Sequence, residues 1–353
     1  MKSKRITGSW RPFRMLGIVL TVVAVAACSG QTSEDTDKAM SEDPGANSSS
    51  EYPVVIEHAF GVTELQSKPS RIATIAWSNQ DVPLALGVVP VGFSEANYGV
   101  TDDSGLLPWT AARLRELGET DPVVFRDSTG LDYEAISDVR PDVILAAYSG
   151  LTEEEYTLLS RIAPVVAYPD RPWQTYWREQ TILNATGMGM KAEGQELVAE
   201  LEQMIATKTA RHPELEGKTA GFFYFIPTDF SQYYIYLPRD PRAAYLQDLG
   251  LVHAPSITRY AEEYDDFAVT LSAENADELR DIDIIIAYGD EALLRELQDD
   301  SLLGSIPAIE RGSVVFLEDN SPLAAAVNPS ALSMPAVIDE YLTLLSQAAE
   351  KVQ

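Results

Sequence analysis

Aromatic side chains recur in this sequence where predicted strands end, with arginines close by. A ring at one such place is more often part of the core than of a binding site. Repetition favours ligand contact, because open α/β sheets bind ligands beyond the carboxyl ends of their strands. Rings with a few cationic donors suit a bulky, partly apolar ligand that carries oxygen atoms. The predicted ligand-binding residues are Trp77, Tyr98, Tyr148, Trp173, Tyr224, Tyr236, Arg239, Arg242 and Tyr288, and Phe230 and Tyr233 are predicted to crowd the same region.

Motifs of several enzyme classes are missing from the sequence. It holds no Gly-x-Ser-x-Gly elbow and no His-Glu-x-x-His pair. The sequence Gly217-Lys218-Thr219 is similar to the end of a phosphate-binding loop, but His212 stands where that loop requires glycine. Only three histidines occur, far apart in the chain, so we predict no metal site built on imidazoles. An enzyme that uses paired carboxylates stays open as an alternative, although no pair stands out among 54 acidic residues.

The start of the chain has the pattern of an export signal. Five basic residues precede an apolar run at 15–25, which is too short for a membrane span. The run leads into Val-Ala-Ala-Cys, which resembles a bacterial lipobox and implies lipidation of Cys28, the only cysteine. Residues 29–52 are rich in Ser, Asp, Glu and Gly and predict a disordered tether. We therefore expect residues 1–28 to be a signal peptide and the protein to be anchored by lipid at the extracytoplasmic face of a membrane.

The charge of the chain limits its partners. The formal net charge is -28 at pH 7. Nucleic acid and anionic lipid both require basic patches, so neither is expected as the main partner. The remaining part, about 300 residues, is long enough for two lobes. We expect a monomer that binds a neutral or cationic ligand.

Strands and helices alternate along the chain, which predicts mainly parallel sheets with helices on their faces. After a hairpin at 54–65, the pattern begins at residue 72 and restarts at residue 219. We expect an α/β protein with two Rossmann-like lobes, at 53–190 and 213–353. The predicted strands are 72–76, 88–93, 143–147, 165–168, 219–226, 284–287 and 313–317; the predicted helices are 81–86, 131–139, 152–162, 173–188, 243–249, 291–297 and 329–349.

A long helix is predicted between the two lobes, at 191–212. At 1.5 Å per residue it would be roughly 30 Å long. One continuous helix resists bending, so we expect a rigid connector beside a ligand cleft and only modest closure of the lobes. An ordinary surface helix is the alternative. The apolar residues lie on one helical face and are Leu197, Val198, Leu201, Met204 and Ile205.

A short pattern occurs once in each half. Glu134 opens a predicted helix, an aspartate follows eight residues later at a strand entry, and Tyr148 stands at the strand exit. Glu274 and Tyr288 repeat the arrangement in the second half, with the aspartate nine residues after the glutamate. Repetition of a whole unit indicates two related lobes. We therefore expect Tyr148 and Tyr288 to face each other across the cleft.

These segments resemble the iron-siderophore-binding lipoproteins of bacterial ABC importers. The resemblance implies two α/β lobes joined by one helix, with the ligand between them. It also implies that Glu134 and Glu274 dock to arginines of the membrane permease. The siderophore fills the coordination sphere of Fe(III), so no metal ligand and no covalent cofactor is expected from the protein. The segments that carry the resemblance are 68–76, 85–93, 131–168, 172–181, 240–251 and 327–342.

The resemblance leaves the chemistry of the ligand open. Ferric catecholates are strongly anionic and require a cluster of cations. Arg126, Arg171, Arg239 and Arg242 could form one, yet the acidic surroundings favour a hydroxamate. Relatives bind haem or cobalamin, and a haem site needs an axial Tyr, Met or His in the cleft, a role open to Tyr148 and Tyr288. A lipid-anchored α/β enzyme is the alternative from another class.

Overall fold

The computed structural model describes residues 52–352. The predicted signal peptide, Cys28 and the tether up to residue 51 lie outside the described residues. None of the described helices is both long and apolar enough to cross a membrane.

A five-stranded parallel sheet is the centre of the first lobe. An antiparallel hairpin packs beside it, and helices cover both sheet faces. The elements are β1 (Val54–His58), β2 (Gly61–Leu65), β3 (Ile72–Thr74), α1 (Asp81–Ala85), β4 (Gly92–Ser94), α2 (Pro108–Glu116), β5 (Val124–Phe125), α3 (Tyr133–Asp138), β6 (Val143–Leu145), α4 (Glu153–Leu159), β7 (Val165–Val166) and α5 (Trp177–Gly187).

The strand order of this sheet is β5-β4-β3-β6-β7. From β3 the chain adds β4 and β5 toward one edge of the sheet. It then returns to β6, on the other side of β3, and adds β7 toward the opposite edge. In open α/β sheets, ligands bind outside the carboxyl ends of the two strands at such a reversal. Ala76 and Trp77 follow β3, and Tyr148 and Ser149 follow β6. The topology thus brings together residues that are about 70 positions apart in sequence.

The second lobe contains a mixed sheet of order β11-β9-β8-β12-β13, with β10 beside β8. The pairs among β8, β10, β12 and β13 are parallel, whereas β9 pairs antiparallel with β8 and β11. Short 3-10 helices occur at Pro213–Leu215, Ala273–Leu279 and Leu303–Ser305. The other elements are α6 (Lys191–Thr209), β8 (Thr219–Ile226), β9 (Asp229–Tyr236), α7 (Pro241–Asp248), β10 (Val252–His253), α8 (Pro255–Glu263), β11 (Ala268–Ser272), β12 (Ile284–Tyr288), α9 (Glu291–Asp299), α10 (Pro307–Glu310), β13 (Val314–Leu317), α11 (Pro322–Ala326) and α12 (Ser333–Ala349).

The two-lobed α/β fold predicted from the sequence is confirmed, and the repeated pattern has a structural meaning. The Asp142 carboxylate accepts hydrogen bonds from the backbone N–H groups of Ser70 and Arg71 at 2.9 and 3.0 Å, just before β3. Asp283 does the same for the N–H of Thr219, the first residue of β8, at 3.0 Å. In each lobe an aspartate at one strand entry therefore fixes the start of the neighbouring parallel strand.

Helix α6 links the last helix of the first lobe to the first strand of the second. Leu201 and Ile205 are 4% exposed, and they share one continuous core with Trp177 of α5 and Phe222 of β8. Gly194 allows the close approach to α5, because a Cβ there would overlap the Ala185 methyl group. Since the lobes share an apolar core at this helix, wide separation would expose apolar surface to water.

The chain returns to the first lobe after β13. Helix α11 packs with Leu107 and Trp109 of the first lobe. Ser330, in the turn before α12, donates a hydrogen bond to the carboxylate of Asp81, which also accepts from Trp109 at 3.1 Å. Asp81 is completely buried, so this cluster joins the returning segment to α1 through a carboxylate that water does not reach.

The pH dependence of stability is expected to change when Asp81 is replaced. Burial raises the pKa of Asp81 to about 6, and the hydrogen bond from Ser330 offsets only part of that rise. The Asp81 carboxyl therefore binds its proton more tightly in the folded protein than in the unfolded chain. The stabilisation that comes from this bound proton is lost as pH rises through about 6. Between pH 5 and pH 8, we expect the wild type to lose about 1–2 kcal/mol more unfolding free energy than Asp81→Asn. Urea unfolding at both pH values measures this, and an equal loss in both proteins would contradict it.

Candidate functional site

A cavity of about 380 Å³ lies between the lobes. The first lobe contributes side chains from the loops after β3 and β4, and the second contributes them from β8, β9, α7 and β12. The returning segment after β13 closes the remaining side. The lining residues are Trp77, Asn97, Tyr98, Tyr224, Tyr236, Arg242, Tyr288, Asp319, Ala324, Ala325 and Asn328.

The aromatic wall of the second lobe follows from the alternation of side chains along strands. Phe222 and Tyr224 are two residues apart in β8 and therefore point to the same face of the sheet. The Phe222 ring packs edge-on against Tyr236 of β9 at 5.4 Å and against Tyr288 of β12 at 5.3 Å. Tyr233 is fully buried on the opposite face of β9. Three neighbouring strands thus present their rings to the cavity.

Arg242 lies at the centre of this wall. Its guanidinium stacks over the Tyr236 ring at 4.1 Å from the ring centre. Nη1 donates to the hydroxyl of Tyr288 at 3.1 Å, while Nη2 and Nε donate to the carboxylate of Asp240 at 2.6 and 2.8 Å. The arginine side chain is 19% exposed and the aspartate side chain 2%. The guanidinium is therefore held in one orientation by three neighbouring side chains.

Tyr148 lies just behind the cavity, at the exit of β6. It is 5% exposed, and its hydroxyl accepts a hydrogen bond from the Asn328 amide at 3.0 Å. Burial raises the pKa of its phenol above the ordinary value, with a further contribution from Asp240. Asn79 bonds to both the carbonyl and the N–H of Tyr148, at 2.8 and 3.1 Å. The tyrosine is consequently a fixed, protonated phenol.

Trp173 covers Tyr148 from the solvent side, with ring centres 5.3 Å apart. Its backbone has a φ of 61°, a left-handed conformation that an aromatic residue rarely adopts. Gly150 makes room for the indole, because a Cβ at that position would overlap the ring. Ala76, at the exit of β3, has a similar φ of 63°. Such strained positions cluster at ligand sites, where the surrounding structure maintains them.

A second cavity, of about 240 Å³, adjoins the first and shares Trp77 and Asn97 with it. Trp173 forms part of its wall, together with Asp127. Burial raises the pKa of Asp127, and its carboxylate accepts a hydrogen bond from Ser94. The two indoles therefore border adjoining cavities at the carboxyl edge of the first sheet.

Two sets of polar contacts join the lobes. The hydroxyl of Tyr98 donates to Asp319 at 2.8 Å. Asp265 of the second lobe pairs with Arg171 of the first at 2.6 Å and with Arg239 at 2.9 Å. The cleft is thus held at a defined width by contacts that water can reach.

The structure brings most of the predicted site residues together. Trp77, Tyr98, Tyr224, Tyr236, Arg242 and Tyr288 line the cleft, and Trp173 lines the adjoining cavity. Tyr148 and Arg239 do not line either cavity; Tyr148 lies behind Asn328, and Arg239 pairs with Asp265. Sequence reasoning missed the polar lining residues Asn97, Asp319 and Asn328. Within residues 52–352 there is no group of three or more metal-ligating side chains.

Glu134 and Glu274 occupy matching positions, each the second residue of a helix that starts after a capping side chain. Asp132 caps α3 by accepting from Ala135 at 2.9 Å, and Ser272 caps the 3-10 helix by accepting from Glu274 at 3.3 Å. Both glutamates are exposed, and neither side chain has a hydrogen-bond or ion-pair partner in the described part of the chain.

Residues 72–320 match the family model described as "Periplasmic binding protein". The chain belongs to the periplasmic binding protein family. Proteins of this family bind solutes and are not a class of enzyme. The resemblance inferred from the sequence is confirmed.

Two curated proteins are similar in sequence to this periplasmic binding protein. The probable siderophore-binding lipoprotein YfiY of Bacillus subtilis is 23% identical over 224 residues, which cover 61% of this chain and 60% of YfiY. The match thus spans less than two thirds of that relative's length. The Fe(3+) dicitrate-binding periplasmic protein FecB of Escherichia coli is 26% identical over 277 residues, which cover 76% of this chain and 86% of FecB.

Solved structures have the same two-lobed architecture. PiaA of Streptococcus pneumoniae TIGR4 in complex with ferrichrome is 49% identical with a TM-score of 0.82, and the match covers 85% of this chain and 99% of PiaA. A periplasmic solute binding protein from Mycobacterium smegmatis is 26% identical with a TM-score of 0.66, and the match covers 84% and 98% of the two chains.

Proposed function

We propose that this periplasmic binding protein captures a ferric siderophore at the outer face of a membrane and delivers it to an ABC importer. The observation that carries the proposal is the composition of the cleft: aromatic walls from both lobes surround one fixed arginine. Such a site suits a bulky complex with an apolar periphery and oxygen atoms at its centre. The similarity to PiaA in complex with ferrichrome supports the same class of ligand.

The charges around the cleft favour a neutral ferric hydroxamate over an anionic catecholate. Each arginine that could form a cationic cluster already has a carboxylate partner. Arg242 pairs with Asp240, Arg126 with Glu95 at 2.9 Å, and Arg171 and Arg239 share Asp265. A strongly anionic ligand would have to break these pairs to obtain counter-charge.

The haem alternative requires a tyrosine that can give up its proton to iron. Burial raises the pKa of the Tyr148 and Tyr288 phenols, which disfavours the phenolate. Their hydroxyls also accept hydrogen bonds from Asn328 and Arg242, respectively. A ferric siderophore needs no such ligand, because its own oxygens complete the iron coordination.

The proposed protein is attached to the membrane by a lipid and docks to the permease through one glutamate on each lobe. Lipidation of Cys28 would hold the protein at the membrane surface, and the description of YfiY as a lipoprotein supports this. Exposed Glu134 and Glu274, one on each lobe, would meet arginines of the permease. The protein is proposed to act as a monomer without a covalently bound cofactor.

Native mass spectrometry of the purified protein tests the ligand class. The protein is mixed with equimolar ferrichrome, a ferric tricatecholate, haem and cobalamin. We expect the ferrichrome complex to dominate the spectrum. Preferential binding of haem or cobalamin would instead assign that ligand and overturn the siderophore proposal.

A further inference from the structure

Asp240 is a buried acid that no ligand of the cleft would touch directly. It is 1% exposed and lies immediately before α7. Its side chain accepts a hydrogen bond from the backbone N–H of Arg242 at 2.9 Å and therefore caps that helix. Asparagine and serine cap helices about as well as aspartate does. Capping alone thus gives no reason for a negative charge at this position.

The charge of Asp240 has one evident effect, which is to neutralise Arg242. The pair is bidentate, with Nη2 and Nε of the arginine on the two carboxylate oxygens. Arg242 is the only cationic side chain that lines the cleft cavity within residues 52–352. With its partner included, the pair adds no net charge to the wall of the cleft.

The geometry leaves part of the guanidinium available to a ligand. An arginine has five N–H groups in a planar fork. Two bond to Asp240 and one bonds to the hydroxyl of Tyr288, which leaves two for oxygen atoms of a bound complex. Arg242 can therefore donate hydrogen bonds to a ligand without offering it a net positive charge.

We propose that Asp240 sets the ligand charge that the cleft accepts, by cancelling the charge of Arg242 so that neutral ferric complexes are preferred to anionic ones. This inference rests on the proposed siderophore function. An anionic complex beside Arg242 would also approach the carboxylate of Asp240. Their repulsion is weakly screened because the Asp240 side chain is buried and the Arg242 side chain is only 19% exposed.

The chain contains a matched pair outside the cleft. Arg178 forms a bidentate pair with Asp248, at 2.9 and 3.0 Å, and its guanidinium stacks over the Trp177 ring at 4.3 Å. Asp248 lines neither cavity. Arg178 also pairs with Glu202 at 2.6 Å, so it keeps a carboxylate partner when Asp248 is replaced. Asp248→Asn removes one negative charge beside an arginine outside the cleft and therefore controls for the change in net charge.

The test compares the dissociation constants of ferrichrome, which is neutral, and of a strongly anionic ferric tricatecholate. We expect the wild type to bind ferrichrome at least 100-fold more tightly than the tricatecholate. Asp240→Asn should reduce this ratio of the two dissociation constants by at least tenfold. Asp248→Asn should leave the ratio within about twofold of the wild-type value. An unchanged ratio in Asp240→Asn would overturn the proposal.

A double variant controls for misfolding, because Asp240→Asn leaves the largely buried Arg242 without its carboxylate partner. Asp240→Asn combined with Arg242→Gln removes both charges. Both affinities should fall, but the ratio should stay within about threefold of the wild-type value. Collapse of the ratio in the double variant would show that charge cancellation is not the cause. If the wild type binds neither complex, the proposed function fails, whatever the variants do.

Discussion

Replacement of Arg242 by Ala is expected to weaken ferrichrome binding by about 100-fold. The guanidinium is the charged donor of the cleft wall and is fixed by Asp240, Tyr236 and Tyr288. Hydrogen bonds from a charged group contribute roughly 1.5–3 kcal/mol each when the site is dry. The truncation also leaves Asp240 as an unpaired buried acid. Quenching of tryptophan fluorescence on titration with ferrichrome measures the affinity.

Arg178→Ala is the matched control for that variant. It removes an arginine that stacks on Trp177 and pairs with Asp248 and Glu202 outside the cleft. We expect its ferrichrome affinity to stay within about twofold of wild type. If Arg242→Ala keeps a native circular dichroism spectrum and loses less than threefold in ferrichrome affinity, Arg242 does not contribute to ligand binding.

Reversal of both exposed glutamates, Glu134→Lys with Glu274→Lys, is expected to reduce iron uptake to the level of cells without the protein. A lysine at each of the two docking points would repel the arginines of the permease, because the charges have the same sign. Ligand affinity should be unchanged, because neither glutamate lines the cleft or pairs with another described side chain. Transport of radiolabelled ferrichrome by cells of the native host measures uptake.

The control for that experiment is Glu154→Lys with Glu262→Lys, which makes the same charge change at exposed positions, one in each lobe. Its uptake should be near wild type. Normal uptake in the Glu134 and Glu274 double variant would refute docking through these residues. Equal loss in the control would attribute the effect to net charge.

The sequence predicts the parts of the fold that depend on local pattern. Buried parallel strands appear as short apolar runs, and the aspartates at two strand entries repeat because they bond to the backbone of a neighbouring strand. The predicted strand at 219–226 coincides with β8, whereas the predicted strand at 88–93 overlaps only the start of β4 at Gly92–Ser94. Residues 88–90 are irregular, and the N–H of Val91 donates to the carbonyl of Ile72 in β3 at 2.8 Å just before β4 begins.

The sequence predicts no strand at 229–236, because its aromatic residues are assigned to the ligand site that follows the strand at 219–226. The segment Asp229–Tyr236 is a hairpin partner of β8, so its side chains alternate between faces. That alternation places Tyr236 in the cleft and Tyr233 in the core. The paired partner decides which face is buried, and no local feature of the segment encodes it.

The polar part of the cleft depends on contacts between distant residues. Tyr98 meets Asp319 across 221 positions, and Asn328 meets Tyr148 across 180. No short-range pattern relates such residues. Asp240 is different, because Asp-Pro-Arg at a helix start is a recognisable capping sequence. Its pairing with an arginine of the cleft wall cannot be inferred from the sequence, because the contact of Arg242 with Tyr288 and the cavity depends on the fold.

The most direct measurement is a titration of the purified protein with ferrichrome, followed by intrinsic fluorescence. Trp77 lines both adjoining cavities and Trp173 lines the smaller one, so a bound iron complex should quench their emission. We predict saturable quenching with a dissociation constant at or below the micromolar range, and none with the iron-free siderophore. Absence of a response to ferrichrome and to every other ferric complex would contradict the account.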